Sequence, residues 1–159
     1  MPIWKSLSEL SVTLSVEEPH GIATAGRHGD NKWSLKFSND RPLDLLADLG
    51  AGEAPMDLGA LNLRSLEINL GAGELQLDLR GHPQRDYDVR IHGGVGEATV
   101  RLPKDVGVDA RAAGGIGHIE TRGLEKHDRR WINPAAADAP VTIHLDVRGG
   151  VGSIRLLAE

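Results

Sequence analysis

A motif of two glycines separated by one small apolar residue recurs five times from residue 50 onward, and it constrains the possible folds more than any other feature. Its ten glycines are Gly50, Gly52, Gly71, Gly73, Gly94, Gly96, Gly115, Gly117, Gly150 and Gly152. The residues between them are Ala51, Ala72, Val95, Ile116 and Val151. Because an internal period of about 20 to 50 residues is typical of stacked repeat architectures, we predict that the five copies are equivalent structural units.

Apolar and polar residues alternate on both sides of every glycine pair, as they do in β-strands. Five positions before the second glycine stand Ala47, Ile68, Ile91, Ala112 and Val147, and two positions after it stand Ala54, Leu75, Ala98, Ile119 and Ile154. These positions are an odd number of residues apart, whereas side chains on one face of a continuous strand are an even number apart. The chain must therefore bend, bulge or turn a corner at Gly-x-Gly, where a backbone without Cβ is permissive. The central residue of each motif could still point into the core.

The second glycines lie 21, 23, 21 and 35 residues apart, and the longest interval contains an insertion over residues 125–140. The insertion is charged and then rich in Pro and Ala, which indicates a surface excursion. Units of about 21 residues made of short strands gain stability by stacking, as in a solenoid. We therefore predict one all-β domain over residues 1–159, a stacked β-solenoid with repeats over 45–124 and 141–157. The alternating residues within 1–44 predict N-terminal strands that cap the first end of the stack.

Composition limits the classes of protein to which the chain can belong. Hydrophobic residues make up 40% of the chain but aromatic residues only 3%, so the core must be built from aliphatic side chains. The absence of cysteine excludes disulfides, thiolate catalysis and Cys-ligated zinc. Charges of both signs are interleaved and sum to -5, which argues against nucleic-acid binding and against attachment to an anionic membrane. With no apolar run near the roughly 18 residues of a transmembrane helix, we expect the chain as given to be soluble.

The stretch NLGAGELQLDLRG, residues 69–81, resembles the start of a nucleotide-binding site, but the remaining pattern excludes one. A Rossmann fingerprint requires a third glycine and a helix, whereas Gly73 is followed by Glu74, Leu75 and Gln76 in a strand pattern. A P-loop is excluded because Gly-Lys-Ser and Gly-Lys-Thr do not occur. A calcium β-roll needs an aspartate two positions after the last glycine. That position holds Ala98, Ile119 and Ile154 in the three Gly-Gly-x-Gly copies.

The histidines and carboxylates are the candidate metal ligands and catalytic groups of the chain. The seven histidines have no pair at a tight ligand spacing, so we predict no metal site. His92 and His118 flank neighbouring glycine corners and could approach each other if the units stack. Glu53, Glu74 and Glu97 occupy equivalent places after the corner, with Asp57 and Asp78 further along, and would form an acidic ladder if the layers are in register. We interpret this ladder as a solvated face, since acid–base work needs a pocket that separates the two pKa values.

The insertion contains the candidate partner contact, which consists of Arg129, Arg130 and Trp131. Arginine and tryptophan are enriched among the residues that dominate binding energy at protein interfaces. The alternative interpretation is that Trp131 folds back and covers the last corner of the stack.

Three segments resemble the bacterial toast-rack family over roughly residues 31–157: PLDLLADLGAGEAPMDLGALNLRSLEINLGAGELQLDLRG, VGEATVRLPKDVGVDARAAGGIGHIE and VTIHLDVRGGVGSIRLL. That family is related to LiaF-like cell-wall-active-antibiotics-response proteins and, more loosely, to adhesin-like β-solenoids. The resemblance implies a stacked all-β architecture, no catalytic residues, no cofactor and a location at the cell envelope. LiaF-like members restrain a two-component sensor of cell-wall stress, which implies a protein partner. Family members reach the membrane through a segment ahead of this domain, which this chain does not show.

Three functions follow as hypotheses. The first is a non-enzymatic binding or scaffold domain of the bacterial envelope, with a membrane sensor or a second copy as partner. The second is a carbohydrate-binding protein or carbohydrate-active enzyme, because β-solenoids often present acidic ladders to polysaccharides; the low aromatic content argues against it. The third is an adhesin-like structural protein that assembles end to end through uncapped strands.

Overall fold

The computed structural model describes residues 10–16 and 40–159, and strands dominate this part of the chain. The long strands are β2 (Leu43–Asp57), β3 (Leu63–Asp78), β4 (Tyr87–Leu102), β5 (Gly107–Arg122) and β8 (Thr142–Ala158). The shorter ones are β1 (Leu10–Val16), β6 (Glu125–His127) and β7 (Arg130–Ile132). A single turn of 3-10 helix, Pro134–Ala137, precedes β8. The predicted all-β architecture is confirmed.

The eight strands form one sheet in the order β1-β2-β3-β4-β8-β5-β7-β6. From β1 to β5 every neighbouring pair is parallel, and the glycine pairs are in register from strand to strand. The last strand of the chain, β8, lies between β4 and β5, so the fourth and fifth copies of the repeat are exchanged relative to chain order. The sequence pattern did not predict this exchange, because all five copies carry nearly the same alternation.

Each long strand folds back on itself. Fully extended, the 15 residues of β2 would span about 50 Å. Residues 58–62 nevertheless return the chain to the start of β2, where the Leu43 N–H donates to the carbonyl of Asn62 at 2.8 Å. Six peptide steps from Asp57 to Leu63 reach at most about 22 Å. The strand must therefore bend near its middle into two arms, one before and one after the Gly-x-Gly corner.

The core lies between the two sets of arms. Leu45, Ile68, Ile91 and Val147 of the first arms are buried, and so are Leu75, Leu77, Val100, Ile154 and Leu156 of the second arms. These side chains belong to one hydrophobic cluster. Ile68 and Leu75 are both fully buried although seven residues separate them. The change of parity read from the sequence is therefore produced by the bend.

Glycine is required at the corner for two reasons. The second glycine of each pair has a positive φ, for example 125° at Gly73 and 137° at Gly96, a conformation that is costly for residues with a Cβ. In addition, a Cβ at Gly73 would overlap the carbonyl oxygen of Gly52 in the neighbouring strand, and one at Gly96 would overlap that of Gly73. The corners therefore stack backbone directly on backbone.

The insertion at residues 125–140 is more ordered than the predicted surface excursion. β6 and β7 form an antiparallel hairpin, and β7 extends the sheet by pairing Ile132 with Asp109 and Trp131 with Ala110 of β5. At the opposite edge, β1 pairs with the first arm of β2. The other strands predicted within residues 1–44 lie outside the described residues.

Candidate functional site

The outer side of the corner carries an exposed apolar row, which we call the corner ridge: Ala51, Ala72, Val95, Val151 and Ile116. Its members are direct register partners from β2 to β5. Val95, Val151 and Ile116 are 57%, 47% and 73% exposed. The expectation that the central residue of the motif could point into the core is therefore wrong. The backbone turns at the corner, with a positive φ at the second glycine, and the central side chain faces outward. Adjacent exposed aliphatic side chains of this kind mark interaction surfaces.

The inner side of the same corner is hollow in three of the five long strands. Leu49 and Leu70 stand three positions before the second glycine in β2 and β3, and Leu70 is 7% exposed. The corresponding residues of β4, β8 and β5 are Gly93, Gly149 and Gly114. A cavity of about 90 Å³ lies at this corner, lined by these glycines together with Leu70, Ile91, Val147, Ile119 and Ile154.

The larger apolar side chain of each corner therefore lies on the inner side in β2 and β3 and on the outer side in β4, β8 and β5. The Leu-Gly-Ala-Gly copies place leucine inside and alanine outside. The Gly-Gly-Val-Gly and Gly-Gly-Ile-Gly copies place glycine inside and a β-branched residue outside. This difference between the copies is visible in the sequence. The structure adds that the central residue faces outward, so that the two kinds of copy differ in which side of the corner carries the larger side chain.

The acidic ladder is in register as expected. Glu53, Glu74 and Glu97 are consecutive register partners on the outer face of the second arms, and the row continues with Ser153 and His118. Asp57 and Asp78 are likewise partners. Further along, Arg155 lies 3.7 Å from Glu97 and 3.5 Å from Glu120. These groups lie on an open face of the sheet, an arrangement suited to solubility rather than to acid–base chemistry.

The approach of His92 to His118 that stacking could have produced does not occur, and both side chains are exposed. His92 belongs to the first arm of β4 and pairs with Arg148, whereas His118 belongs to the second arm of β5 and pairs with Ser153. Strand β8 separates the two. Within the described residues, no group of three or more His, Asp or Glu side chains could hold a metal ion.

The three residues of the candidate partner contact have different surroundings. Trp131 is half-buried and packs on the core, with the Lys126 ammonium 5.5 Å from its ring centroid. It covers the first arm of β5 rather than the last corner. Arg130 donates to Asp109 at 3.0 Å, and Arg129 is exposed. Arg129 and Arg130 line an open surface depression together with Arg111, His127 and Asp128, and we call this the hairpin surface.

Two ion pairs on the arms shift carboxylate pKa values. The Arg64 guanidinium donates to both oxygens of Asp44, and the Ser65 hydroxyl donates to it at 2.7 Å. These bonds hold the pKa of Asp44 below its ordinary value of 3.8 despite partial burial. Hydrogen bonds from Arg80 lower the pKa of Asp78 in the same way. Both pairs join neighbouring side chains on the outer surface, and neither lies in a cleft.

In the described part of the chain, no helix has the length and apolar character needed to cross a bilayer. The insertion supplies a short 3-10 turn whose residues are not buried.

Comparison with known proteins gives a family and one similar structure. Residues 4–101 match the family described as the N-terminal domain of toast_rack, DUF2154. The fold is similar to the crystal structure of a putative cell adhesion protein from Clostridium sporogenes ATCC 15579. The two sequences are 29% identical, the alignment covers 82% of this chain and 68% of the other, and the TM-score is 0.74. A comparison with curated proteins found no match.

Proposed function

The chain belongs to the toast-rack family, and from this premise we propose that it is a binding and scaffold domain of the bacterial cell envelope that acts without catalysis. The observation that carries the proposal is the corner ridge, where three β-branched side chains on three neighbouring strands are exposed side by side. The name of the similar structure, a cell adhesion protein, supports an envelope-associated role of the same kind.

The ridge is suited to binding because its backbone is fixed. Every corner glycine packs against the next corner, so Val95, Val151 and Ile116 are held in one line without help from loops. A partner that covers them gains roughly 25 cal/mol for each Å² of apolar surface removed from water. Little side-chain entropy is lost, since β-branched residues in strands have few rotamers.

The partner that we propose is a membrane sensor of cell-wall stress, which the domain holds in check. This finer proposal rests on the resemblance to LiaF-like proteins. It also fits the corner ridge and the basic hairpin surface of the described residues, because such surfaces suit a protein partner better than a small molecule.

The experiment is a binding measurement with a histidine kinase that senses cell-wall stress, taken from the same organism and reconstituted in nanodiscs. We compare the wild type with the triple variant Val95→Ser, Val151→Ser and Ile116→Ser. The matched control replaces outward residues of the second arms, Gln76→Ser and Thr99→Ser. Binding by wild type and control but not by the ridge variant supports the proposal.

A second arm of the experiment uses Trp131→Ala and Arg130→Ala to assign the hairpin surface. Loss of capture with unchanged thermal stability places the contact there, and unaltered capture removes the hairpin as the contact. If the wild type binds no sensor and instead retains cell-wall polysaccharide, the protein-partner proposal is contradicted and the glycan-binding alternative takes its place.

A further inference from the structure

The last long strand of the stack has an open edge. β5 pairs with β8 along its whole length, from Gly107 to Arg122. On its other side, the described residues pair with it only at Asp109 and Ala110. Residues 111–122 therefore present backbone donors and acceptors that no described strand occupies. The inward Ile119 and Thr121 are accordingly half-buried, whereas their partners in β8 are buried.

The hollow of the corner extends to this edge. Gly114 completes the row of Gly93 and Gly149, and a Cβ placed on Gly114 would meet no atom within 4 Å. Gly114 and Ile119 also line the 90 Å³ cavity. In β3 the same level is filled by Leu70. An added strand with an aliphatic residue at this level would place it beside the space that the glycines leave.

The backbone of the corner restricts what can be added. From β3 onward, a Cβ at the second glycine would overlap the corresponding carbonyl of the preceding strand in the sheet, as at Gly152 over Gly96 and at Gly117 over Gly152. The same geometry, continued by one strand, places the Gly117 carbonyl against the second glycine of the newcomer. The added strand must therefore run parallel and carry glycine at this position.

Two positions on the edge are complementary to acidic residues, while Glu120 between them lies 3.5 Å from Arg155. One and five positions after the second glycine, β5 carries His118 and Arg122, both exposed. The corresponding residues of β3 are Glu74 and Asp78. A strand with acidic residues at these two levels would set them beside the histidine and the arginine.

The surroundings favour one strand over a whole second copy. The β6–β7 hairpin adds two strands beside the first arm of β5, and β1 adds one beside the first arm of β2. Two stacked copies would bring these additions into collision before their second arms could pair. A single extended segment can lie beside the corner and the second arm of β5.

We propose that the open edge of β5 accepts an extended segment of a partner protein with an aliphatic residue, Gly-x-Gly and an acidic residue in succession, added as a parallel strand. Recognition by strand addition combines backbone hydrogen bonds with side-chain pockets. This site goes beyond the ridge function.

The probe is a fluorescein-labelled peptide of this chain's own residues 67–78, EINLGAGELQLD, which carries every required feature and spans the same length as the open edge. Anisotropy measures its binding to the full chain, and amide exchange maps it. We expect saturable binding with new protection in residues 111–122. A control peptide with Gly73→Val should bind at least about tenfold more weakly. Equal binding of both peptides, or protection elsewhere, overturns the proposal.

Two variants of the protein test the pocket and the charges separately. Gly114→Leu fills the hollow and should weaken peptide binding, with thermal stability as its folding control. The double variant His118→Glu with Arg122→Glu should bind the acidic peptide more weakly. A peptide with Glu74→Lys and Asp78→Lys should bind this variant with restored affinity. Absence of that recovery contradicts the assigned register. Peptide binding by a wild-type chain that binds no sensor would contradict the ridge function alone, and sensor binding without peptide binding would contradict this site alone.

Discussion

The buried side chain of Asn133 completes the backbone hydrogen bonding of Val108 at the start of β5. Its Oδ1 accepts from the Val108 N–H at 2.8 Å, and its Nδ2 donates to the Val106 carbonyl at 2.7 Å. The Asn133 N–H in turn donates to the Val108 carbonyl at 3.3 Å. At 3% exposure, Asn133 is the one buried polar residue of the described chain. These hydrogen bonds hold the insertion against the start of β5.

Asn133→Ala should lower the free energy of unfolding by about 1–3 kcal/mol, because it leaves the Val108 N–H and the Val106 carbonyl buried without these partners. Urea denaturation measures the change. Asn69→Ala is the matched control: its side chain donates to Asp48 at 2.7 Å but is only half-buried, so we expect a smaller loss. Equal losses in the two variants would contradict the role assigned to Asn133.

Gly96→Ala should destabilise the protein by more than about 2 kcal/mol, since alanine there would need a φ near 137° and would overlap the Gly73 carbonyl. Thermal unfolding measures the loss. The control, Gly114→Ala, changes a glycine in the same motif region whose Cβ would enter open space. If Gly114→Ala loses as much stability as Gly96→Ala, the role assigned to the positive φ and the backbone contact of Gly96 is contradicted.

Gly93→Ala should stabilise the protein by about 0.5–1 kcal/mol. The new methyl group would have one neighbour within 4 Å, the Arg148 carbonyl at 3.9 Å, and alanine restricts the unfolded chain. Calorimetry should show a higher melting temperature. A lower one would mean that the hollow at this corner does not tolerate even a methyl group.

The stability of the protein should fall at acidic pH, partly through Asp44. Since the pKa of Asp44 is lower in the folded chain than the ordinary 3.8, its contribution is present above pH 4 and is lost as pH falls through the folded value. Asp44→Asn should therefore reduce the pH dependence of the free energy of unfolding below pH 4. Identical slopes for the two proteins would exclude the Asp44–Arg64 pair as a cause.

Much of the architecture could be predicted from local spacing. The odd separation between Ile68 and Leu75 requires a bend, and the repetition of that spacing requires stacked copies. The register of Glu53, Glu74 and Glu97 follows once the glycine pairs are aligned. Each of these inferences depends on relations within one copy or between similar copies.

Three features could not be predicted from the sequence because similar copies allow more than one arrangement: the order of the strands, the direction of the central side chains and the pairing of the insertion. The exchange of β8 and β5 depends on which of two nearly equivalent strands pairs with β4. The outward direction of Val95 depends on the dihedral angles of the glycines beside it, and the pairing of the insertion depends on Asn133, a polar residue in a loop-like stretch. For these reasons the sequence left open an inward Val95 and an approach of His92 to His118, neither of which occurs in the structure.

Engineered disulfides test the central claim, that the glycine pairs are in-register corners whose central residues face outward with β8 between β4 and β5. The chain contains no cysteine, so each introduced pair is unambiguous. Adjacent strands lie about 4.8 Å apart, within the range for a disulfide, whereas alternate strands are about twice as far apart. We predict that Val95→Cys with Val151→Cys and Ile116→Cys with Val151→Cys form intramolecular disulfides, detected by mass spectrometry, and that Val95→Cys with Ile116→Cys does not. Efficient cross-linking of the last pair, with none in the first two, would contradict the account.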